Sequence, residues 1–179
     1  MKLNEIKTKI NEFEPKSNDE KYMLLACQEA YKAYESGNFG IGAILVDENG
    51  SVVSKGHNSV FNPSFRSDLH AEMVVMNQFE SHHITKQDLS KYTLYTSLEP
   101  CPMCLARVIT AGVGTVKFAC VDKDGGMVSR ILSFPPVWQE IASDRNFTQA
   151  LISSELQKIA SELFLSNVAQ LDNALKNNN

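Results

Sequence analysis

Two short segments of the 179-residue chain carry side chains that bind transition metals. His70 begins a His-Ala-Glu segment, and Cys101 and Cys104 form a Cys-x-x-Cys pair directly after Pro100. Thiolate sulfur and imidazole nitrogen are ligands that zinc prefers, and three protein ligands leave a fourth tetrahedral position open. A cysteine pair at a helix start is also favoured in the thiolate form. The spacing therefore predicts a catalytic zinc site.

Glu72 supplies the carboxylate that such a site needs, two residues after His70. From this position it can reach a water on the metal without binding the metal itself, and it can transfer the proton of that water. Two thiolates and a neutral imidazole balance the charge of Zn²⁺. Such a site lacks the excess positive charge that would suit phosphoryl transfer. We therefore predict Glu72 as the catalytic acid and base of a hydrolytic reaction.

Alternating strands and helices must position these residues. Ser17 followed by Glu20 is a capping box, and it begins a predicted helix that ends near Gly37. Predicted strands cover residues 40–46, 52–58, 92–96, 113–121 and 146–149, and predicted helices begin near residue 70 and cover 101–111 and 153–168. This alternation predicts an α/β fold, a three-layer α/β/α sandwich around a mixed sheet. Helix starts that follow adjacent parallel strands lie at one edge of a sheet, which would bring His70 to the cysteine pair.

The length indicates one domain, and a hydrophobic content of 43% with 21% charged residues is typical of globular proteins. Residues 1–16 are predicted to form an N-terminal helical extension, and residues 17–176 a single domain. Its C-terminal segment, residues 131–176, is expected to provide a packing helix and a lid over the site.

The charge and the apolar pattern exclude several classes of protein. No stretch is long enough to span a membrane, and the first residues lack the apolar region of a secretory signal, so we expect a cytoplasmic protein. The net charge of −4 repels phosphate at long range. Without an export signal, the four cysteines are expected to be thiols or metal ligands rather than disulfides.

The combination His-Ala-Glu and Pro-Cys-x-x-Cys resembles the signature of the zinc-dependent cytidine and deoxycytidylate deaminase superfamily. The resemblance extends from about Met23 to Cys120, and the Gly56-His57-Asn58 and Leu98-to-Cys104 segments look most like the branch of guanine deaminases, cytosine deaminases and tRNA adenosine deaminases. It implies a five-stranded sheet of order 2-1-3-4-5, usually a homodimer, and hydrolytic release of ammonia. It also implies that Asn58 and Ala71 contact the substrate base and that Glu72 is the proton shuttle.

Two other interpretations of the cysteine pair stay open at this point. A CxxC redox protein would use Cys101 and Cys104 but gives no role to His70 and Glu72. A non-catalytic zinc-binding module would keep the fold and the metal, although nothing structural requires a carboxylate at residue 72. Phe134, Trp138 and Phe147 could be core residues, or an aromatic lid on which a flat base stacks. Trp138 is the candidate for a substrate-binding lid residue.

The charge of the C-terminal segment bears on the substrate. Residues 131–179 contain three basic side chains (Arg145, Lys158, Lys176) and five acidic ones (Glu140, Asp144, Glu155, Glu162, Asp172). This segment is a poor surface for RNA, so we predict a small-molecule base or nucleoside, with guanine slightly ahead of cytosine. A tRNA adenosine-to-inosine deaminase is the alternative, since a dimer could assemble a basic groove from Arg66, Arg107, Lys117 and Lys123.

Overall fold

The computed structural model describes residues 3–83, 85 and 87–177. The described helices are α1 (Leu3–Glu12), α2 (Asn18–Glu35), α3 (Ala71–Ser81), α4 (Pro102–Ala111), α5 (Pro136–Ala142), α6 (Ser154–Leu165) and α7 (Val168–Asn177), with a 3-10 helix at Val128–Ser133. The described strands are β1 (Gly42–Val46), β2 (Val52–His57), β3 (Thr93–Leu98), β4 (Thr115–Cys120) and β5 (Asn146–Gln149). No helix in these ranges is long and apolar enough to cross a lipid bilayer.

The five strands form one mixed sheet of order β2-β1-β3-β4-β5. Strand β1 pairs antiparallel with both β2 and β3, while β3, β4 and β5 run parallel. Every residue of β1 is buried, because helices cover both faces of the sheet. The predicted mixed sheet and its strand order are confirmed.

Side chains of β1 alternate between two hydrophobic cores, one on each face of the sheet. Ile44 and Val46 belong to the core formed with α1, α2 and α6. Ala43 and Leu45 belong to the core formed with α3 and α4, and this core also receives Ala142 of α5. The molecule is therefore a three-layer α/β/α sandwich, as predicted.

The N-terminal helix α1 packs on the domain. Ile6 and Ile10 are buried in the core that α1 shares with α2 and α6, with Ile6 fully inaccessible to solvent. Residues 1–2 of the predicted extension lie outside the described residues. Through Ile6 and Ile10, α1 contributes to the same hydrophobic core as the sheet.

The C-terminal segment forms two helices where the sequence pattern predicts one over residues 153–168. Helix α6 ends at Leu165, and α7 begins at Val168. Between them, the Asn167 side chain donates a hydrogen bond of 2.6 Å to the backbone oxygen of Asn38. This long-range contact fixes the point at which the chain changes direction.

Candidate metal centre and active site

The metal-ligating residues lie at the starts of two helices. His70 is the N-cap residue of α3 and Cys101 is the N-cap residue of α4, both with extended backbone conformations. Pro102 occupies the first turn of α4, where its missing N–H would have no helical partner, and Cys104 follows within that turn. The strands that precede these helices, β2 and β3, are not adjacent, because β1 lies between them. Both run antiparallel to β1, so they end at the same edge of the sheet.

The structure brings His70, Cys101 and Cys104 together. Their ligand atoms all lie within 4.8 Å of one another, and Cys101 Sγ is 3.6 Å from His70 Nδ1. One nitrogen and two sulfurs at this separation suit a tetrahedral zinc ion with one position left for a non-protein ligand. The donor set therefore fits the zinc ion predicted from the sequence.

The surroundings of the ligands favour a negative charge on sulfur. The Cys104 thiol and the His70 ring both hydrogen-bond to the Cys101 sulfur and lower its pKa to about 4. The Cys104 thiol has a raised pKa because of its hydrogen bond to Cys101 and its burial. Burial lowers the pKa of His70, but the hydrogen bond to Cys101 and the negative charges of Cys101, Glu72 and Asp68 together outweigh burial, so the pKa is raised overall. A site that already stabilises one thiolate is prepared for a cation.

Glu72 lies beside these ligands in the first turn of α3 and is only 4% exposed. The Thr96 hydroxyl of β3 donates a hydrogen bond of 3.4 Å to Glu72 Oε1. Burial raises the pKa of Glu72, and the negative charge of Cys101 raises it further. A carboxyl group in this environment can both accept a proton and hold it for transfer.

A cavity of about 640 Å³ opens in front of these residues, a volume within the usual range for small-molecule sites. Its walls come from the loop between α2 and β1, the ends of β2 and β3, the starts of α3 and α4, the loop after β4, the end of α6, and α7. The lining residues are Phe39, Ile41, Asn58, His70, Glu72, Leu98, Glu99, Cys101, Asp122, Asp124, Gly125, Phe164, Leu165, Val168, Ala169, Asp172 and Leu175.

Asn58 lines this cavity and is 1% exposed. Its Oδ1 accepts a hydrogen bond of 3.2 Å from the backbone N–H of Val60, which fixes the orientation of the amide. Its Nδ2 is buried and has no hydrogen-bond partner among the described residues. Since an unpaired buried donor is unfavourable, this N–H₂ group is available to a ligand that offers an acceptor.

The structure places the other two predicted substrate-binding residues outside the cavity lining. Ala71 lies between His70 and Glu72, but its side chain is buried in the core of the α3 and α4 face. Trp138 lies on α5 with its ring centroid 6.3 Å from that of Phe134, and both rings pack against the same core. Connections between parallel strands are almost always right-handed, so the β4-to-β5 connection that carries α5 covers the same face as α4.

Sequence reasoning missed the aromatic and helical walls of the cavity. Phe39 and Phe164 supply the aromatic lining, and α7 presents Val168, Ala169 and Asp172 to the cavity. The apolar residues Val168, Leu171 and Leu175 recur at helical spacing, and this pattern could have revealed α7. No local signal in the sequence indicates that α7 turns towards the metal ligands.

Comparisons with known proteins agree with this chemistry. A family model described as the cytidine and deoxycytidylate deaminase zinc-binding region matches residues 16–120, which include all of the predicted metal ligands. A tRNA-specific adenosine deaminase of Bacillus subtilis (strain 168) is 38% identical over 117 residues, covering 65% of this chain and 71% of the relative.

Solved structures of deaminases share the fold. A structure from a study of A-to-I editing by tRNA:A34 deaminases superposes with a TM-score of 0.64 and 27% identity, covering 75% of this chain and 100% of the other. The guanine deaminase of Nitrosomonas europaea superposes with a TM-score of 0.63 and 22% identity, covering 89% of this chain and 92% of the other. At this identity the second likeness shows a common fold only.

Proposed function

Because the chain belongs to the cytidine and deoxycytidylate deaminase family of zinc-dependent hydrolytic deaminases, we propose that it deaminates a free amino-bearing nucleobase or nucleoside, with guanine as the leading candidate. Water is consumed and ammonia is released. The family assignment covers the reaction type and the metal. The substrate is our proposal, and it rests on the cavity.

The charge of the cavity lining carries this proposal. Five of the lining residues are acidic: Glu72, Glu99, Asp122, Asp124 and Asp172. Among the described residues that line the cavity, none is Lys or Arg. Such a lining repels the phosphates of a nucleotide or a nucleic acid, whereas a neutral base or nucleoside can enter.

The hydrogen-bonding groups of the cavity favour a base that carries a carbonyl oxygen as well as an amino group. Asn58 Nδ2 is a free donor and requires an acceptor. The carboxylates of Asp122 and Asp172 are acceptors, which suit ring N–H groups. Guanine and cytosine offer both kinds of group, whereas adenine lacks the carbonyl oxygen. The cavity volume of about 640 Å³ also accommodates a two-ring base.

The protein residues have separate roles in this reaction. His70, Cys101 and Cys104 hold zinc, and the chemistry that zinc supplies when bound is the activation of water at neutral pH. Glu72 takes one proton from water at its carboxylate and gives it to a ring nitrogen; it then takes the second proton from the hydroxyl group added to the ring carbon and gives it to the leaving amine. Asn58 orients the base by donating from Nδ2.

Deamination of adenosine in tRNA is the second candidate, and the 38% identity with a tRNA-specific adenosine deaminase favours it. The basic residues predicted to form an RNA groove are, however, largely paired with carboxylates. Arg66 pairs with Asp68, Arg107 with Glu80 and Lys117 with Asp19, at distances of 2.8, 2.6 and 2.6 Å. Fewer free cations then remain for phosphate contacts.

The intact Glu72 also argues against a non-catalytic zinc-binding module or a CxxC redox protein.

Ammonia release from a substrate panel tests the proposal. The panel contains guanine, cytosine, adenine, their nucleosides and an anticodon stem-loop, each assayed with the zinc-loaded protein at low and high salt. We expect turnover of guanine with little dependence on salt, since a neutral base releases no counterions on binding. Turnover of the stem-loop alone, falling steeply with salt, would contradict the free-base proposal and support the tRNA alternative.

The homodimer and the cytoplasmic location stay proposals. Leu132, Val137 and Ile141, on the 3-10 helix and α5, are exposed apolar side chains that a second copy of the chain could cover. Light scattering coupled to size-exclusion chromatography should give twice the chain mass of 19.9 kDa. A Val137→Asp variant should shift this mass towards that of the monomer. A wild-type protein that already has the mass of a monomer would contradict the proposal.

A further inference from the structure

We propose that Glu99 is a positioning residue that holds the wall loop, residues 121–129, against the cavity and thereby sets how tightly the substrate binds. The inference rests on the proposed function, because it requires the substrate to occupy this cavity. Glu99 directly follows β3 and precedes Pro100 and the cysteine pair. It is 3% exposed.

The two carboxylate oxygens of Glu99 hold the wall loop near both of its ends. Oε2 accepts a hydrogen bond of 3.0 Å from the backbone N–H of Asp122. Oε1 accepts one of 3.2 Å from the backbone N–H of Ser129. Glu99 lines the cavity, but both of its oxygens are engaged by the backbone of the loop.

The wall loop carries three of the cavity-lining residues, Asp122, Asp124 and Gly125. The Asp122 side chain continues the network, because its Oδ1 accepts hydrogen bonds of 3.1 and 3.0 Å from the backbone N–H groups of Asp124 and Gly125. Displacing the Asp122 backbone from Glu99 would therefore move all three lining residues together.

Gly126 shows how closely the loop and the carboxylate fit. A Cβ atom at Gly126 would lie 2.4 Å from Glu99 Cδ and 2.5 Å from Oε2, distances at which one of the groups must move. The Gly126 N–H donates a hydrogen bond of 2.9 Å to the backbone oxygen of Asp122, and this bond closes the loop over the carboxylate. A glycine at this position lets the carboxylate reach the two backbone donors.

The negative charge of Glu99 strengthens the two hydrogen bonds that it accepts from the loop. Its hydrogen bonds are charge-assisted, so each is stronger than one between neutral groups. A glutamine side chain keeps one acceptor oxygen but turns an N–H₂ group towards the other backbone N–H. One end of the wall loop would be released. The Met127 N–H would still donate a hydrogen bond of 2.9 Å to the backbone oxygen of Pro100. The turn before the metal ligands would therefore keep this hydrogen bond.

Glu99→Gln and Gly126→Ala test the inference from both sides of the contact. We expect each variant to raise KM for the preferred base roughly tenfold, the loss of one charge-assisted hydrogen bond, with kcat changed less than about threefold. Zinc content should stay at the wild-type value. Backbone amides of residues 121–129 should exchange with deuterium faster than in the wild type, and this measurement needs no turnover.

Glu20→Gln is the matched control. Glu20 is also a buried carboxylate, 5% exposed, and it likewise accepts hydrogen bonds from two backbone N–H groups, those of Lys16 and Ser153. Because it joins the starts of α2 and α6 and does not line the cavity, this variant should lose stability without a change in KM or in exchange of the wall loop. It thereby separates general destabilisation from displacement of the cavity wall.

The possible results divide clearly. Unchanged loop exchange or unchanged KM in both Glu99→Gln and Gly126→Ala overturns the inference. If Glu99→Gln is too unstable to measure, the same result in Gly126→Ala is sufficient to overturn it. Loss of zinc from Glu99→Gln also overturns it, since the residue would then act on the metal ligands. A wild-type protein that deaminates no member of the substrate panel contradicts the proposed function instead. Faster exchange of the wall loop in the variants would then still show that Glu99 holds this loop.

Discussion

Glu72 gains its chemical character from burial rather than from its residue type alone. Removal from water raises the pKa of the carboxyl group, and the neighbouring Cys101 sulfur adds to this effect. Thr96 donates to one of its oxygens and so orients the group. The two-residue spacing from His70 indicates that Glu72 is near the metal, while its protonation depends on surroundings that the spacing does not show.

Glu72→Gln should abolish turnover while zinc stays bound. The amide preserves the shape of the side chain and an acceptor for Thr96, but it cannot take up a proton, so kcat should fall by about 10²–10⁴-fold. Glu80→Gln is the control, since Glu80 lies on the same helix and pairs with Arg107 away from the cavity. Substantial activity in a zinc-loaded Glu72→Gln protein would refute the proposed role.

Asp19 makes stability depend on pH. Burial opposes its ionisation, but hydrogen bonds from Lys117, Tyr95 and the Leu151 N–H outweigh burial and lower its pKa. A lowered folded-state pKa stabilises the protein above the unfolded-state value of about 3.9, and this contribution disappears as the pH falls through the folded-state value. Asp19 therefore contributes stability at neutral pH that acid removes.

Asp19→Asn should lower the free energy of unfolding by about 1–3 kcal/mol at pH 7, the worth of charge-assisted hydrogen bonds in a partly exposed site. The difference from the wild type should shrink in acid, where the wild-type carboxyl group is protonated. Urea unfolding at both pH values measures this. Asp144→Asn serves as the control because that side chain is 70% exposed, and a difference for Asp19→Asn that does not vary with pH would contradict the assignment.

At the scale of elements, α7 determines the shape of the cavity. Its residues Val168, Ala169, Asp172 and Leu175 line the cavity, and their spacing places them on one side of the helix. Among the described side chains of α7, that of Leu171 is the buried one. The volume available to a base therefore depends on where this terminal helix lies.

Filling the inner side of α7 should weaken substrate binding. Ala169→Trp places a large ring in the cavity, so we expect KM to rise more than about tenfold, equivalent to at least 1.4 kcal/mol, while the fold is retained. Asn173→Trp is the control, because Asn173 is exposed and does not line the cavity. Steady-state kinetics on both variants distinguish the two sides of the helix, and equal effects would show that α7 does not limit the binding site.

On the scale of the whole molecule, the metal centre joins elements that are far apart in the sequence. His70 reaches it from α3, and the two cysteines reach it from α4 across the edge of the sheet. A ligand that binds only the folded state stabilises that state, so zinc should hold these helix starts together. Without a cation, the Cys101 thiolate would remain beside the buried Glu72 carboxyl group.

Chelation of zinc should lower the thermal midpoint. At a free zinc concentration about 100 times Kd, binding contributes about 2.7 kcal/mol, which corresponds to roughly 5–10 °C for a chain of this length. Scanning calorimetry before and after chelation, with zinc added back, measures the shift. Cys101→Ser should show a smaller change in the midpoint. A wild-type midpoint that changes neither on chelation nor when zinc is added back would contradict stabilisation of the fold by the metal.

The sequence by itself determined the chemistry and the sheet. Residue types and short spacings predicted the metal ligands and the role proposed for Glu72, because helix starts and ligand pairs are local features. Apolar runs, strand-forming residues and turn residues located the strands, and the possible edge strand at residues 146–149 coincides with β5. The resemblance to the deaminase superfamily supplied the strand order and the role expected for Asn58.

Only the tertiary structure decided which distant segments meet at the site. It placed Trp138 on the α4 side of the sheet and brought α7, Phe39 and the wall loop to the cavity. It also showed that Asn58 Nδ2 is left free and that Glu99 holds a loop more than 20 residues away. These outcomes depend on the handedness of connections and on packing between elements, which are properties of the folded chain that no short stretch of sequence encodes.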